Sequence, residues 1–189
     1  EEAGVDAVVA EGFEAGGPNG WVETTTMVLV PAVCEQVRLP VIAAGGIGSG
    51  KAMAAAFALG ASGVQVGSRF VATPEASSHI NFKQAVVSAK EGDTMLSLKK
   101  LTPVRLIKNN FYHAIKAAED NGADITALKT LLGRARAKAG MFEGNLEEGE
   151  LEIGQVSALI HEIKPAAVVL EEIWEEFKET VFKCRDLEI

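Results

Sequence analysis

Val41-Ile-Ala-Ala-Gly-Gly-Ile47 and Gly63-Val-Gln-Val-Gly-Ser-Arg-Phe70 are the two stretches that decide the fold. Each is an apolar run of strand length that stops at glycine and passes into a helical pattern, so backbone N–H groups can converge where side chains would otherwise crowd. Two such ends in consecutive strand–helix units read as a phosphate cradle, because helix N-termini add partial positive charge for an anion. In barrels of eight strand–helix units, the loops after the last two strands commonly form such a cradle. A phosphorylated ligand is therefore expected.

Outward from these stretches, the pattern up to residue 90 is strand, glycine loop, helix, three times over. Strands are expected near residues 7–10, 41–44 and 64–67, and helices near 26–37, 50–59 and 76–90. Short β-branched runs alternating with helices specify a parallel sheet. The opening Glu2-Ala-Gly-Val-Asp-Ala7 resembles Leu59-Gly-Ala-Ser-Gly-Val64, a helix C-cap glycine feeding a strand, so the chain reads as starting at the end of a helix. Beyond residue 90 the pattern turns helical. Pro103 suits the first turn of a helix over about 104–121, and shorter helices follow near 125–132 and 134–139. After a loop at 140–145, Glu147, Glu148 and Glu150 are expected to open a helix near 149–161. A last helix follows Pro165, with Leu170, Ile173, Trp174, Phe177 and Val181 as its packing stripe. The fold class is thus α/β, an eight-unit (β/α)₈ TIM barrel of which the chain carries only the last three units plus a C-terminal helical segment. Residues 1–90 form the barrel part and 91–189 a helical extension packing on it. Such a barrel typically takes about 250 residues, and an open three-stranded sheet would expose its edges, so the chain reads as lacking an N-terminal half.

Composition narrows the function. At 189 residues, 48% hydrophobic and 23% charged, the chain can bury a core, and its net charge of −8 argues against nucleic acid. Lys99, Lys100, Arg105 and Lys108 form the one basic cluster, read as a solvated face. Cys34 and Cys184 stand apart without metal-ligand spacing, which fits a reducing cytoplasm. No run approaches the roughly 20 apolar residues of a membrane span.

Rival motifs fail on chemistry. Gly45-Gly-Ile-Gly-Ser-Gly-Lys-Ala52 nearly fits the P-loop of an NTPase, but Ala52 lacks the hydroxyl that binds Mg²⁺. A dinucleotide fold would end the next strand with an acidic residue for the ribose, where Gln65 and Ser68 stand instead. In the first loop, Glu11 is expected to point inward toward a ligand and Glu14 to cap a turn, while Thr24-Thr-Thr26 reads as an N-cap. His79 is read as a helix residue, and His113 and His161 as surface or packing groups.

With these motifs in order, the chain resembles the nitronate monooxygenase (2-nitropropane dioxygenase) family, which includes FMN-dependent enoyl-acyl-carrier-protein reductases. The resemblance rests on Asp6-Ala-Val-Val-Ala-Glu-Gly-Phe-Glu-Ala-Gly-Gly17, Pro40-Val-Ile-Ala-Ala-Gly-Gly-Ile47 and Val64-Gln-Val-Gly-Ser-Arg-Phe70, and more weakly on Val104-Arg-Leu-Ile-Lys-Asn109 and Gly154-Gln155. It implies a barrel binding FMN, with Ala44, Gly45, Gly46, Gln65, Val66, Gly67 and Ser68 around the phosphate and ribityl chain and Glu11 and Ala15 along the flavin. It implies a small-molecule substrate, either an alkyl nitronate oxidised with O₂ or, with NAD(P)H, an enoyl thioester. Other readings are a non-catalytic flavin-binding fragment and an interaction module; a homo-oligomer is compatible with each. The family has a histidine after the double glycine as its proton-handling group. Here that position is Pro18, so the catalytic residue is unassigned.

Overall fold

The computed structural model describes residues 1–186. Its first layer is a parallel sheet of β1 (Val8–Glu11), β3 (Val41–Ala44) and β4 (Gly63–Gln65) in the order β1-β3-β4. The register runs Val8 to Val41 through Glu11 to Ala44, then Ile42 to Gly63 through Ala44 to Gln65, so the three glycine-bearing ends emerge side by side. The chain crosses between these strands through α1 (Thr26–Gln36) and α2 (Gly50–Ala58). Ala10, Val30, Val41, Ala43, Ile47, Ala56 and Ala61 make the core under them.

After β4 come α3 (Ser68–Val71), only four residues long, and α4 (Ile80–Ser88). The latter begins later than its apolar pattern suggests, because the His79 ring accepts the Asn81 N–H at 3.1 Å and caps it. His79 is therefore an N-cap rather than a helix residue.

The segment from 91 onward departs from the helical expectation. Thr94–Ser97 (β5) and Val104–Ile107 (β6) are antiparallel strands, and the two-residue β2 (Gly17–Pro18) from the first loop adds to the other edge of β6. The helix expected from 104 starts only at Asn110. Its side-chain cap is Asn109, which accepts the Tyr112 N–H at 2.9 Å, and the β-branched and long residues before it pair as a strand. That helix, α5 (Asn110–Asp120), buries Phe111, Tyr112 and Ile115. It is followed by α6 (Ile125–Leu132) and α7 (Arg136–Met141), which starts two residues later than expected and takes in Gly140 and Met141.

The helix expected near 149–161 is also absent. Glu150-Leu-Glu-Ile153 is extended, with Leu151 and Ile153 in the core, and a short 3₁₀ turn covers Gln155–Leu159. The alternation of acidic and apolar residues is a period of two, which suits a strand and no helix. Last comes α8 (Ala166–Arg185), lying along α2 so closely that a Cβ on Gly50 would sit 2.2 Å from the Phe177 nitrogen. Of its apolar stripe Ile173 is buried and Phe177 meets Phe57 with ring centres 5.5 Å apart, while Leu170, Trp174 and Val181 are about half exposed or more. No helix among the described residues is long and apolar enough to cross a membrane.

Candidate active-site cleft

At the C-terminal ends of β1, β3 and β4 lies a cavity of about 240 Å³. Glu11, Ala15, Ala44, Gly45, Gly46, Gln65, Gly67 and Ser68 line it together, so eight of the nine residues expected around a cofactor share one space. The ninth, Val66, packs instead on the core beneath the sheet and opens toward Trp174 and Phe70 of the opposite face. Alternation of side chains along the strand accounts for this: Gln65 and Gly67 face the cleft, and Val66 turns away.

The glycines fit an anion's demands. Gly45 holds a φ of +85°, and a Cβ there would lie 2.7 Å from the Gly12 carbonyl, so the loops after β1 and β3 touch backbone to backbone. Gly67 opens α3, and a Cβ built on it meets nothing within 4 Å. A short extra helix at this place is the arrangement that barrel enzymes use for phosphate. Ser68 Oγ accepts the Gly154 N–H at 3.0 Å, which leaves its own O–H to donate.

The longer helix N-terminus belongs to another partner. Gly50 N–H donates to Glu176 Oε2 at 2.7 Å, and Lys51 Nζ lies 3.4 Å from Glu176 Oε1. A carboxylate from α8 thus occupies the end of α2, contrary to the expectation that both helix ends face the ligand. The lysine of the P-loop-like stretch is spent on the same side chain.

Glu14 does cap a turn, but by reaching across the loop. Its carboxylate accepts the Thr26 N–H at 3.0 Å and the Thr26 hydroxyl at 3.0 Å, so this side chain does for α1 what the threonine run was expected to do for itself. Glu11 stands at the end of β1, and burial raises its pKa above the ordinary carboxyl value. Pro18 is exposed, pairs with Val104 in β2, and is not part of the cavity lining. Arg105, expected on a solvated face, is 1% exposed and holds the loop from behind through the Phe13 carbonyl. Burial lowers its pKa, against the opposing charges of Glu14 and Glu23.

Residues from the chain's second half that sequence reasoning left out complete the lining: Met141, Glu152, Ile153 and Val156. Gly16 and Gly17 are shaped to admit them. A Cβ on Gly16 would lie 2.3 Å from the Ile153 carbonyl carbon, and one on Gly17 2.7 Å from Glu152 Oε2. The double glycine of the first loop therefore makes room for the 152–154 segment, a signal present in the alternating Glu150-Leu-Glu-Ile153.

Comparison with known proteins bears on this arrangement. The family model described as nitronate monooxygenase matches residues 1–176. The chain belongs to the nitronate monooxygenase family. A probable nitronate monooxygenase of Staphylococcus saprophyticus is 34% identical over 180 residues, 89% of this chain and 50% of that protein. The nitronate monooxygenase of Pseudomonas aeruginosa is 34% identical over 191 residues, 94% of this chain and 53% of that protein. Among solved structures, FabK from Thermotoga maritima superposes with a TM-score of 0.90 at 45% identity, covering 97% of this chain and 58% of that one. A nitroalkane oxidase from Streptomyces ansochromogenes does so at 0.78 and 31%, covering 97% and 55%. The chain spans about half the length of the curated relatives it matches.

Proposed function

We propose that these residues are the last three units of a (β/α)₈ barrel that binds FMN and works as a nitronate monooxygenase, oxidising small alkyl nitronates with O₂ in the cytoplasm. The observation that carries this is the convergence of the Gly45-Gly46 and Gly67-Ser68 ends on one cleft, backed by family membership. The fit to a flavin phosphate is steric as well as chemical: Gly67 leaves open space and the Ser68 hydroxyl is free to donate. When bound, FMN supplies the two-electron redox chemistry with substrate and oxygen.

The chain's own residues do the rest. Gly46, Gly67 and Ser68 would hold the phosphate, and Ala44, Gly45 and Gln65 would follow the ribityl chain. Ala15 and Glu11 would stand along the ring system. The cavity of about 240 Å³ falls below the roughly 300–1,000 Å³ of a complete ligand pocket, so this half supplies one wall. The 45% identity to FabK supports a second reading within the family, an NAD(P)H-dependent enoyl-acyl-carrier-protein reductase.

Stopped-flow absorbance on the complete barrel separates the two. Rapid anaerobic bleaching of bound flavin by propyl nitronate and slow bleaching by NADH supports the monooxygenase. The reverse order supports the reductase, and a barrel that retains no flavin refutes both.

A further inference from the structure

We propose that Glu152 is the acid–base group of this cleft, a side chain that holds and releases a proton over the bound ligand rather than one that serves the fold. The inference rests on the flavin reading above and adds a residue to it.

The geometry begins with β6. Its one edge is taken along its whole length by β5, so its partners on the other edge follow one another in line. Pro18 stands opposite Val104, Gly17 opposite Arg105, and Glu152 opposite Leu106. Glu152 and Gly17 are thus neighbours end to end, and the carboxyl lies over Gly17, where any Cβ would meet it. The backbone around Glu152 is pinned on both sides. Ile107 N–H donates to the Leu151 carbonyl at 2.9 Å, Gly154 N–H to Ser68 Oγ at 3.0 Å, and Gln155 N–H to the Glu14 carbonyl at 2.9 Å. Leu151 and Ile153 anchor the segment in the core on either side of it. A carboxyl placed this firmly on the cleft wall is set on rigid support, as a proton-transfer group must be.

Its rivals in the cleft are otherwise engaged or differently placed. Glu14 spends both oxygens on Thr26. Pro18 carries no proton. Glu11 is the remaining carboxyl and serves as the control. Partial burial raises the Glu152 pKa above the ordinary carboxyl value. The charged groups around it are Glu150 on its own segment, Arg136 of α7 beside Glu150, Glu14 and Glu11 across the cleft, and Arg105 of β6, whose guanidinium is committed to Phe13. A half-buried carboxyl on the cleft wall, with no hydrogen-bond partner among the described residues, is open to take a ligand atom as its partner.

The test is FMN binding followed by flavin fluorescence on the complete barrel between about pH 5 and about pH 9, in the wild type, Glu152→Gln and Glu11→Gln. An ionised Glu152 repels an anionic ligand, so wild-type affinity should fall with rising pH by about tenfold for each unit by which bound FMN raises that carboxyl's pKa. The FMN phosphate titrates equally in every variant and cancels in the comparison. Glu152→Gln should flatten most of the fall, and Glu11→Gln should remove less of it. A fall unchanged in Glu152→Gln, or one abolished by Glu11→Gln instead, overturns the proposal while leaving the flavin reading intact. Failure of every variant to bind FMN overturns both. Should Glu152→Gln not fold, infrared difference spectra of the wild type decide: a protonated-carboxyl band perturbed by FMN supports the role, and an unperturbed one refutes it.

Discussion

Arg105 donates from Nε and Nη2 to the carbonyl oxygen of Phe13, at 3.1 and 2.9 Å, and its guanidinium carbon lies 4.4 Å from the centre of the Phe13 ring. One side chain of the antiparallel sheet thereby fixes the loop that follows Glu11 and carries Glu14 and Ala15 into the cleft. A fork of this shape is specific to arginine, since an ammonium offers neither two parallel donors nor a flat face. Arg105→Lys should destabilise the protein by about 2 kcal/mol or more and leave the Phe13 carbonyl unpaired. Urea unfolding monitored by circular dichroism measures the loss, and a midpoint equal to that of the wild type would show that the loop holds without the fork.

Gly67 offers a cleaner probe of the proposed phosphate cradle than Gly45. Valine at 45 would collide with the Gly12 backbone, so loss of flavin there reports on the fold. A Cβ at 67 meets no protein atom within 4 Å and the backbone φ is −103°, so valine extends into the space where a phosphate would sit without a clash at its Cβ. Gly67→Val in a complete barrel should keep its helix content and lose at least tenfold in FMN affinity. Lys51→Ala should keep both, because Lys51 pairs with Glu176 on an exposed surface. Flavin fluorescence titration of the three proteins is the measurement; undiminished binding by Gly67→Val moves the phosphate elsewhere.

How much of this was legible beforehand follows from range. The parallel strands and their glycine ends were readable because each depends on a few consecutive positions, while the set of lining residues came with the family resemblance. The antiparallel sheet was not, since β2 is two residues long and Gly17 pairs with Arg105 across 88 positions of sequence. The choice between Pro103 and Asn109 as a helix start also turned on tertiary contact: Val104–Ile107 is strand only because β5 and the first loop flank it. Glu176 on the end of α2 was invisible for the same reason, as nothing near Gly50 announces a carboxylate from α8.

Glu150 makes stability depend on pH. Burial first, and then the neighbouring charge of Glu152, raises its pKa from 4.5 to about 7 against the opposing pull of Arg136. The folded protein therefore holds this proton more tightly than the unfolded chain does. The resulting penalty is absent below the unfolded value, grows as pH rises from about 4.5, and is complete above about 7. Glu150→Gln should raise stability at about pH 8 by on the order of 1 kcal/mol, once solvent screening is allowed for, and leave it unchanged at about pH 4. Urea midpoints at the two pH values provide the check. An equal gain at both would assign the effect to side-chain packing rather than to charge.

The last prediction concerns the 189 residues by themselves. Among the described residues β1 pairs only with β3, and β4 only with β3, so each presents one strand edge without a partner. Val5 and Val9 beside the first edge are 48% and 52% exposed, and Val64 and Val66 open toward the half-exposed Trp174 beside the other. Unpaired edges flanked by apolar side chains recruit other chains, and a cleft with one wall leaves much of a flavin in water. The isolated chain should accordingly form oligomers or aggregates and bind FMN at least a hundredfold more weakly than a complete barrel does. Light scattering after size-exclusion chromatography reads the first, and a difference-absorbance titration reads the second. A monomer that takes up stoichiometric FMN at submicromolar concentration would mean that the glycine cradle and Glu11, Ala15 and Glu152 suffice to hold the flavin, and the one-wall account of the cleft would be wrong.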